Sequence, residues 1–152
     1  MICTTINDHP TNTLIAKTLN KINLDPTNEY ITAGSPYTSV RQLIELAEST
    51  YAKVRRRVAE NPNSPLCLLS LLLKDEDPDV RLSIASNPGA TFRLIESLAV
   101  DHCADVRLAL AENHHLPMIL LIKLCLDENP YVAHRAQLTV SHLQSNKVAV
   151  AC

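Results

Sequence analysis

The dipeptide Val-Arg recurs at Val54-Arg55, Val80-Arg81 and Val106-Arg107, in steps of 26 residues, and Val132 falls on the next step with Ala133 in place of the Arg. Self-similarity at a fixed period of this size marks stacked supersecondary units. A unit of 26 residues cannot bury an apolar face alone, so each must cover its neighbours. The register also carries a stop after each Val-Arg segment: Ala59-Glu60-Asn61-Pro62, Ala85-Ser86-Asn87-Pro88 and Ala111-Glu112-Asn113-His114. Ala33-Gly34-Ser35-Pro36 and Pro10 lie on the same steps. The units read as 28–53, 54–79, 80–105 and 106–131, with a partial unit 132–152 and a degenerate cap over 1–27.

Each unit reads as two short helices. The first, clearest over Pro78–Ser86, has Asp77 as N-cap, Pro78 in first position and Asp79 in an acidic first turn. Asn-Pro ends it, because a residue before proline avoids the α region. The second spans about Pro65–Lys74, with Ser64 expected as N-cap and Pro65 in first position. Its apolar positions recur at helical spacing: Leu66, Leu69, Leu72 and Leu73, then Phe92, Ile95, Leu98 and Ala99, then Met118, Leu121, Leu124 and Cys125.

The composition agrees. Only 2 of 152 residues are Gly, and 4 Tyr and 1 Phe are the only aromatics, against 23 Leu. Sandwiches and barrels need turn glycines and strand-forming aromatics, so an all-β fold is excluded, and a Gly-rich phosphate loop has no residues to build it. Apolar residues make up 46% and charged residues 20%, which describes a globular chain. A formal charge of −2 offers no overall basic excess to draw the chain onto nucleic acid or an anionic membrane.

Val-Arg, Val-Ala-Glu-Asn-Pro (58–62), Ser-Pro (64–65), a Leu-rich run and Asp-x-Asp (75–77) resemble the leucine-rich repeat variant, a bacterial repeat similar in pattern to HEAT repeats. The resemblance covers about 28–140. It implies an all-α fold, a right-handed α-solenoid of about five two-helix repeats, with the Val-Arg helices on the concave side. The family's founding member carries a separate Cys-rich iron–sulfur segment. Only Cys3 lies near the N-terminus here, so no cofactor carries over.

On a helical wheel of about 100° per residue, Arg81 falls inside the buried arc between Ile84 and Ala85. Arg55, Arg81 and Arg107 are therefore expected to pair with Asp75, Asp77, Asp79 or their equivalents Asp101, Asp105 and Asp127 and to tie units together. Asn61, Asn87 and Asn113 are expected to satisfy backbone groups at helix ends and turns. The opposite arc holds Tyr30, Ile31, Arg56, Arg57, Glu60, Leu82, Ser83, Ser86, Leu108, Ala109, Glu112, His134, Arg135 and Leu138. Its apolar centre, Leu82 and Leu108, has basic groups at both ends, which suits a protein or peptide with apolar anchors and acidic flanks. The candidate partner-binding residues are Tyr30, Arg56, Arg57, Leu82, Leu108, Glu112, His134 and Arg135. The competing reading places Leu82 and Leu108 against the next unit.

The second helices of units 54–79 and 106–131 are apolar nearly all round, so both sides need cover. Cys67, Leu71, Ile119 and Leu126 are the expected outer positions, for a homodimer or other partner contact or for cover by residues 1–27. A nucleic-acid reading would use Arg56, Arg57, Arg93, His134 and Arg135, against the net charge and the scarcity of stacking aromatics. His102-Cys103 and His114-His115 are dense donors but too few for a tetrahedral metal site. The five cysteines (Cys3, Cys67, Cys103, Cys125 and Cys152) form no Cys-x-x-Cys and read as reduced thiols of a cytoplasmic protein. A metal or redox role, or a Cys103–His pair, is the remaining chemical alternative. Met1–Pro10 lacks the charged and apolar regions of a signal peptide. The expected function is a non-catalytic binding scaffold.

Overall fold

The computed structural model describes residues 25–150, with side chains described through Ser145. The expected cap over 1–27 falls mostly outside these residues. All regular structure among the described residues is helical. In order, the elements are α1 Pro26–Gly34, α2 Val40–Leu46, α3 Ala52–Glu60, α4 Leu66–Leu72 and α5 Pro78–Ser83, which a 3-10 turn Ile84–Ser86 continues. Then come α6 Phe92–Leu98, α7 Ala104–Glu112, α8 Met118–Leu124 and α9 Pro130–Val150. The odd helices begin at 26, 52, 78, 104 and 130, and the even helices at 40, 66, 92 and 118, so both series advance by 26.

Local chemistry sets these starts. Asp25 accepts from Thr27 N at 3.1 Å, and Pro26 follows it. Asp77 accepts from Asp79 N at 2.9 Å and Val80 N at 3.3 Å, with Pro78 in first position as expected. Ser39 and Gln42 form a reciprocal capping box for α2. The expected cap at Ser64 is corrected: α4 starts at Leu66 with Pro65 in the cap position. The Ser64 hydroxyl instead donates to Val58 O at 2.5 Å and closes the inter-helix turn, as Thr38 does to Thr32 O.

The odd helices pack in series, α1 on α3, α3 on α5, α5 on α7 and α7 on α9. The even helices close the other side: α2 packs on α1 and α3, α4 on α3, α6 on the 3-10 turn and α7, and α8 on α7 and α9. The core lies between the two sets. Val54, Val80, Val106 and Val132 occupy one repeated position of the odd helices, and Leu46, Leu72, Leu98 and Leu124 one of the even helices; all are buried. Burying such a side chain stabilises by about 1.5–3 kcal/mol. The unit cores are therefore built mainly of aliphatic side chains.

The last helix departs from the pattern for a readable reason. Asn-Pro or Asn-His ends α3, the 3-10 turn and α7, but the equivalent residues of α9 are Thr139 and Val140. Neither stops a helix, and α9 runs on for 21 residues. Among the described residues, no helix is long and apolar enough to cross a membrane.

Candidate functional site

The arginine series forms buried clamps rather than a phosphate site. Arg55 donates to Asp75 through Nε at 2.7 Å and Nη2 at 2.8 Å. Arg81 repeats this with Asp101 at 2.8 and 2.8 Å, and Arg107 with Asp127 at 2.8 and 2.9 Å. The remaining nitrogen of each arginine, Nη1, donates to the backbone carbonyl six residues earlier: Ser49, Asp75 and Asp101 respectively. Each aspartate also accepts the N–H two residues on, from Asp77, Cys103 and Asn129. Asp75 and Asp101 thus join two successive arginines, one through the carboxylate and one through the carbonyl.

These bonds govern the ionisation of the clamp. The hydrogen bonds that each arginine donates to its aspartate hold it above the ordinary range, outweighing the opposing effect of burial. Burial pushes Asp75 and Asp101 upward, but the arginine and N–H bonds outweigh it and leave both below the usual carboxylate value. Asp127 is lowered chiefly by Arg107.

The series changes at its N-terminal end. Glu29 stands 26 residues before Arg55, and Ser49 stands 26 before Asp75. The charge pattern is replaced by a single buried bond, Ser49 Oγ donating to Glu29 Oε2 at 2.6 Å. The register alone made this exchange readable, and sequence reasoning passed over it.

All three asparagines satisfy turn backbone groups as expected, accepting from Asn63 N, Gly89 N and His115 N, and two of them also bridge units. Asn61 Nδ2 donates to Ala33 O and Ser35 O at 2.7 and 2.8 Å, and Asn87 Nδ2 to Ala59 O and Asn61 O at the same distances. Asn113 makes the local bond, accepting from His115 N, without the bridge. The helix it faces is the one whose last turn tightens into the 3-10 form. At the next step Thr139 Oγ1 donates to Ala111 O at 2.7 Å and restores a cross-unit bond.

With the clamps accounted for, the outward arc of the odd helices is the candidate surface. Arg56, Ser86, Glu112, His134 and Arg135 are exposed, as are Tyr30, Ile31 and Leu138. Leu82 and Leu108 are half-buried and pack against the core, so the neighbouring helices already take part of their apolar surface. Ser83, placed by the wheel on the solvent side, is buried and donates to Asp79 O at 2.8 Å. The wheel describes an isolated helix and takes no account of neighbouring elements.

The structure brings Tyr30, Arg56 and Arg57 together in a cleft of about 290 Å³ between α1 and α3, with Lys53 and Glu60. The Arg57 guanidinium lies 5.2 Å from the Tyr30 ring centroid, within cation–π range. Glu60 accepts from both Arg56 Nε at 3.1 Å and Arg57 Nη1 at 3.0 Å. Arg57 Nε is buried without an acceptor, the one such side-chain atom among the described residues. Gly34 makes the arrangement fit: a Cβ there would overlap Arg57 Nη2. Sequence reasoning missed Lys53 and Gly34. Lys53 was readable as one helical turn before Arg56 and Arg57. Gly34 was not, because its neighbour lies 23 positions away.

The other candidate positions sit elsewhere. Glu112 and Arg135 form an ion pair at 3.2 Å between α7 and α9. Arg93 belongs to the even helix α6, so it does not extend the arginines of α3. Cys67, Leu71, Ile119 and Leu126 are all exposed on or just after the even helices, together with Ile122 and Val100. Cys67, Cys103 and Cys125 are free thiols, and burial pushes that of Cys125 upward. Among the described residues, no group of three or more His, Cys, Asp or Glu is placed to hold a metal. His114 and His142 meet edge to face at 5.2 Å.

No protein-family model, no curated protein and no solved structure matches the chain.

Proposed function

We propose that this protein is a non-catalytic binding module, an α-solenoid of two-helix units whose odd-helix face receives an extended segment of another protein. The observation that supports it most is the division of labour among the charged residues. Arg55, Arg81 and Arg107 are consumed in clamps to Asp75, Asp101 and Asp127, while the outward arc of the same helices carries a separate set of charges, more exposed and only partly ion-paired among themselves. A surface repeated at unit spacing suits an extended ligand better than a compact one. The close serial packing of the odd helices is consistent with their forming the concave side, as the resemblance to the leucine-rich repeat variant implies.

The charge along this face favours a peptide over a nucleic acid. Lys53 lies at one end, but the residues that follow it at steps of 26 are Asp79 and Asp105, both exposed. A phosphate backbone needs cations along its track. An acidic group at the Lys53 end, apolar residues over Leu82 and Leu108 and basic residues beside Asp79 and Asp105 match the charges found here, with Arg135 at the far end already paired to Glu112.

The test is photocrosslinking in the native cell from a benzophenone amino acid placed at Arg56, Ser86 or Glu112, against Ile44, Ser70 or Glu96 on the even helices. All six positions are exposed. Cross-links to a protein from the first set are expected. Cross-links from the second set alone would overturn the reading.

A further inference from the structure

The cleft between α1 and α3 holds more positive charge than the chain neutralises. Three cations, Lys53, Arg56 and Arg57, face one carboxylate, Glu60, a formal surplus of two (three minus one). Glu60 is already shared between both arginines. Lys53 forms no ion pair among the described residues, and its ammonium lies 5.8 Å from the Tyr51 ring centroid. The second, independent observation is the buried Arg57 Nε with no acceptor. A buried donor left unsatisfied is costly, because it has given up water without gaining an acceptor. Tyr30 and Gly34 hold the guanidinium where that cost is incurred, and an acceptor that draws Nε out from against Gly34 into the cleft would recover it.

We infer that this cleft receives a phosphate monoester carried on a peptide, a phosphorylated Ser or Thr. The assignment rests on the odd-helix face being the peptide-binding surface. Its basis is charge and donor count. A phosphate monoester brings a charge near −2 and three strong acceptor oxygens, matching the surplus of two and the free donors of Lys53 and Arg57. A side-chain carboxylate brings one charge and leaves the other cation unmatched. A nucleic-acid phosphodiester also brings one charge per group, and the cationic track stops at this unit, with Asp79 next in register.

The test uses the full chain labelled with nitrogen-15 and three probes: phenyl phosphate, benzoate and a single-stranded oligonucleotide. The Nε–Hε signal of each arginine reports directly on oxyanion contact. With phenyl phosphate, Arg57 Nε–Hε and the amides of α3 are expected to shift saturably, with benzoate at least tenfold weaker. R57Q is expected to weaken phenyl phosphate at least tenfold and K53A several-fold. G34A, which pushes the guanidinium away from α1, also weakens it while the fold persists. R41Q, on an exposed side chain of α2, leaves it unchanged. Equal affinity for benzoate would overturn the phosphate assignment, as would the absence of a saturable shift at Arg57. Tighter binding of the oligonucleotide, with shifts spread over α3, α5 and α7, would overturn the peptide carrier in favour of nucleic acid.

Titration and cross-linking fail separately. Odd-face cross-links without a phosphate shift leave the binding face standing and remove this assignment. A phosphate shift with cross-links from the even helices alone removes the peptide carrier.

Discussion

The Asp101 carboxylate meets the Arg81 guanidinium in two parallel bonds of 2.8 Å each, across 20 residues of chain, with both side chains almost wholly buried. The pair joins an odd helix to the turn that follows the next even helix. The Asp101 carbonyl then takes Arg107 Nη1 at 2.7 Å, which carries the connection into the next unit. A buried charge is tolerable only when it is paired and hydrogen-bonded, and here both conditions are met at each step.

Removing one partner therefore exposes the full cost of the other. Arg81→Ala is expected to destabilise by about 3–5 kcal/mol, because Asp101 is left buried and unpaired. Arg81→Lys recovers little of this, since one ammonium cannot reproduce the two-pronged contact. The double change Arg81→Met with Asp101→Leu is expected to cost less than Arg81→Ala alone. Urea denaturation of the four proteins decides it. A cost below about 1 kcal/mol for Arg81→Ala would put the pair among ordinary surface ion pairs.

Acid should weaken the fold through the same carboxyls. Asp75, Asp101 and Asp127 are held below the usual value in the folded chain. Between the folded values and the unfolded value of about 3.9, the unfolded chain binds more protons. The stabilisation is thus fully present above the unfolded value and is lost as pH falls through the folded ones. Urea midpoints should stay level down to about pH 5 and drop below about pH 4. Asp101→Asn should flatten part of that drop. A midpoint independent of pH in this range would contradict the account.

The two asparagine environments predict unequal costs. Asn87→Ala removes the side-chain donor to the Ala59 carbonyl, while the Asn61 carbonyl keeps the Ser64 N–H, for an expected loss of about 1–3 kcal/mol. Asn113→Ala removes a local bond only and should cost about 1 kcal/mol or less. Thermal unfolding of the two variants checks the order, and a larger loss for Asn113→Ala would reverse it.

The length of α9 follows from two residues. Thr139→Asn with Val140→Pro restores the stop that ends the earlier odd helices. Helical content by circular dichroism should fall by roughly the length beyond residue 139, because proline interrupts the ladder. Unchanged helicity would show that the long helix has another cause.

Much of this was readable before any coordinates, and the failures have physical causes. The period placed the helix starts within a few residues, and the wheel put Arg81 inside. The choice of Asp101 among several aspartates was not readable, because it depends on how far α6 folds back. Ser64 looked like a cap because Ser-Pro often precedes a helix, yet its hydroxyl closes the turn. Whether Leu82 and Leu108 are open or covered by the next unit was undecided, because a wheel has no neighbouring helix. The Tyr30–Arg57 contact joins residues 27 apart and requires Gly34 to lack a side chain, which no periodicity reveals.

The central claim is that the exposed arc of the odd helices is the surface this protein uses. The most direct measurement is quantitative affinity enrichment from the native cell with two charge-reversed proteins, their folds checked by circular dichroism. One carries Arg56→Glu and Asp105→Lys on the odd helices, the other Arg41→Glu and Glu96→Lys on the even helices. The account expects the first to lose its protein partner at least tenfold and the second to keep it. Retention by the first with loss by the second would contradict it.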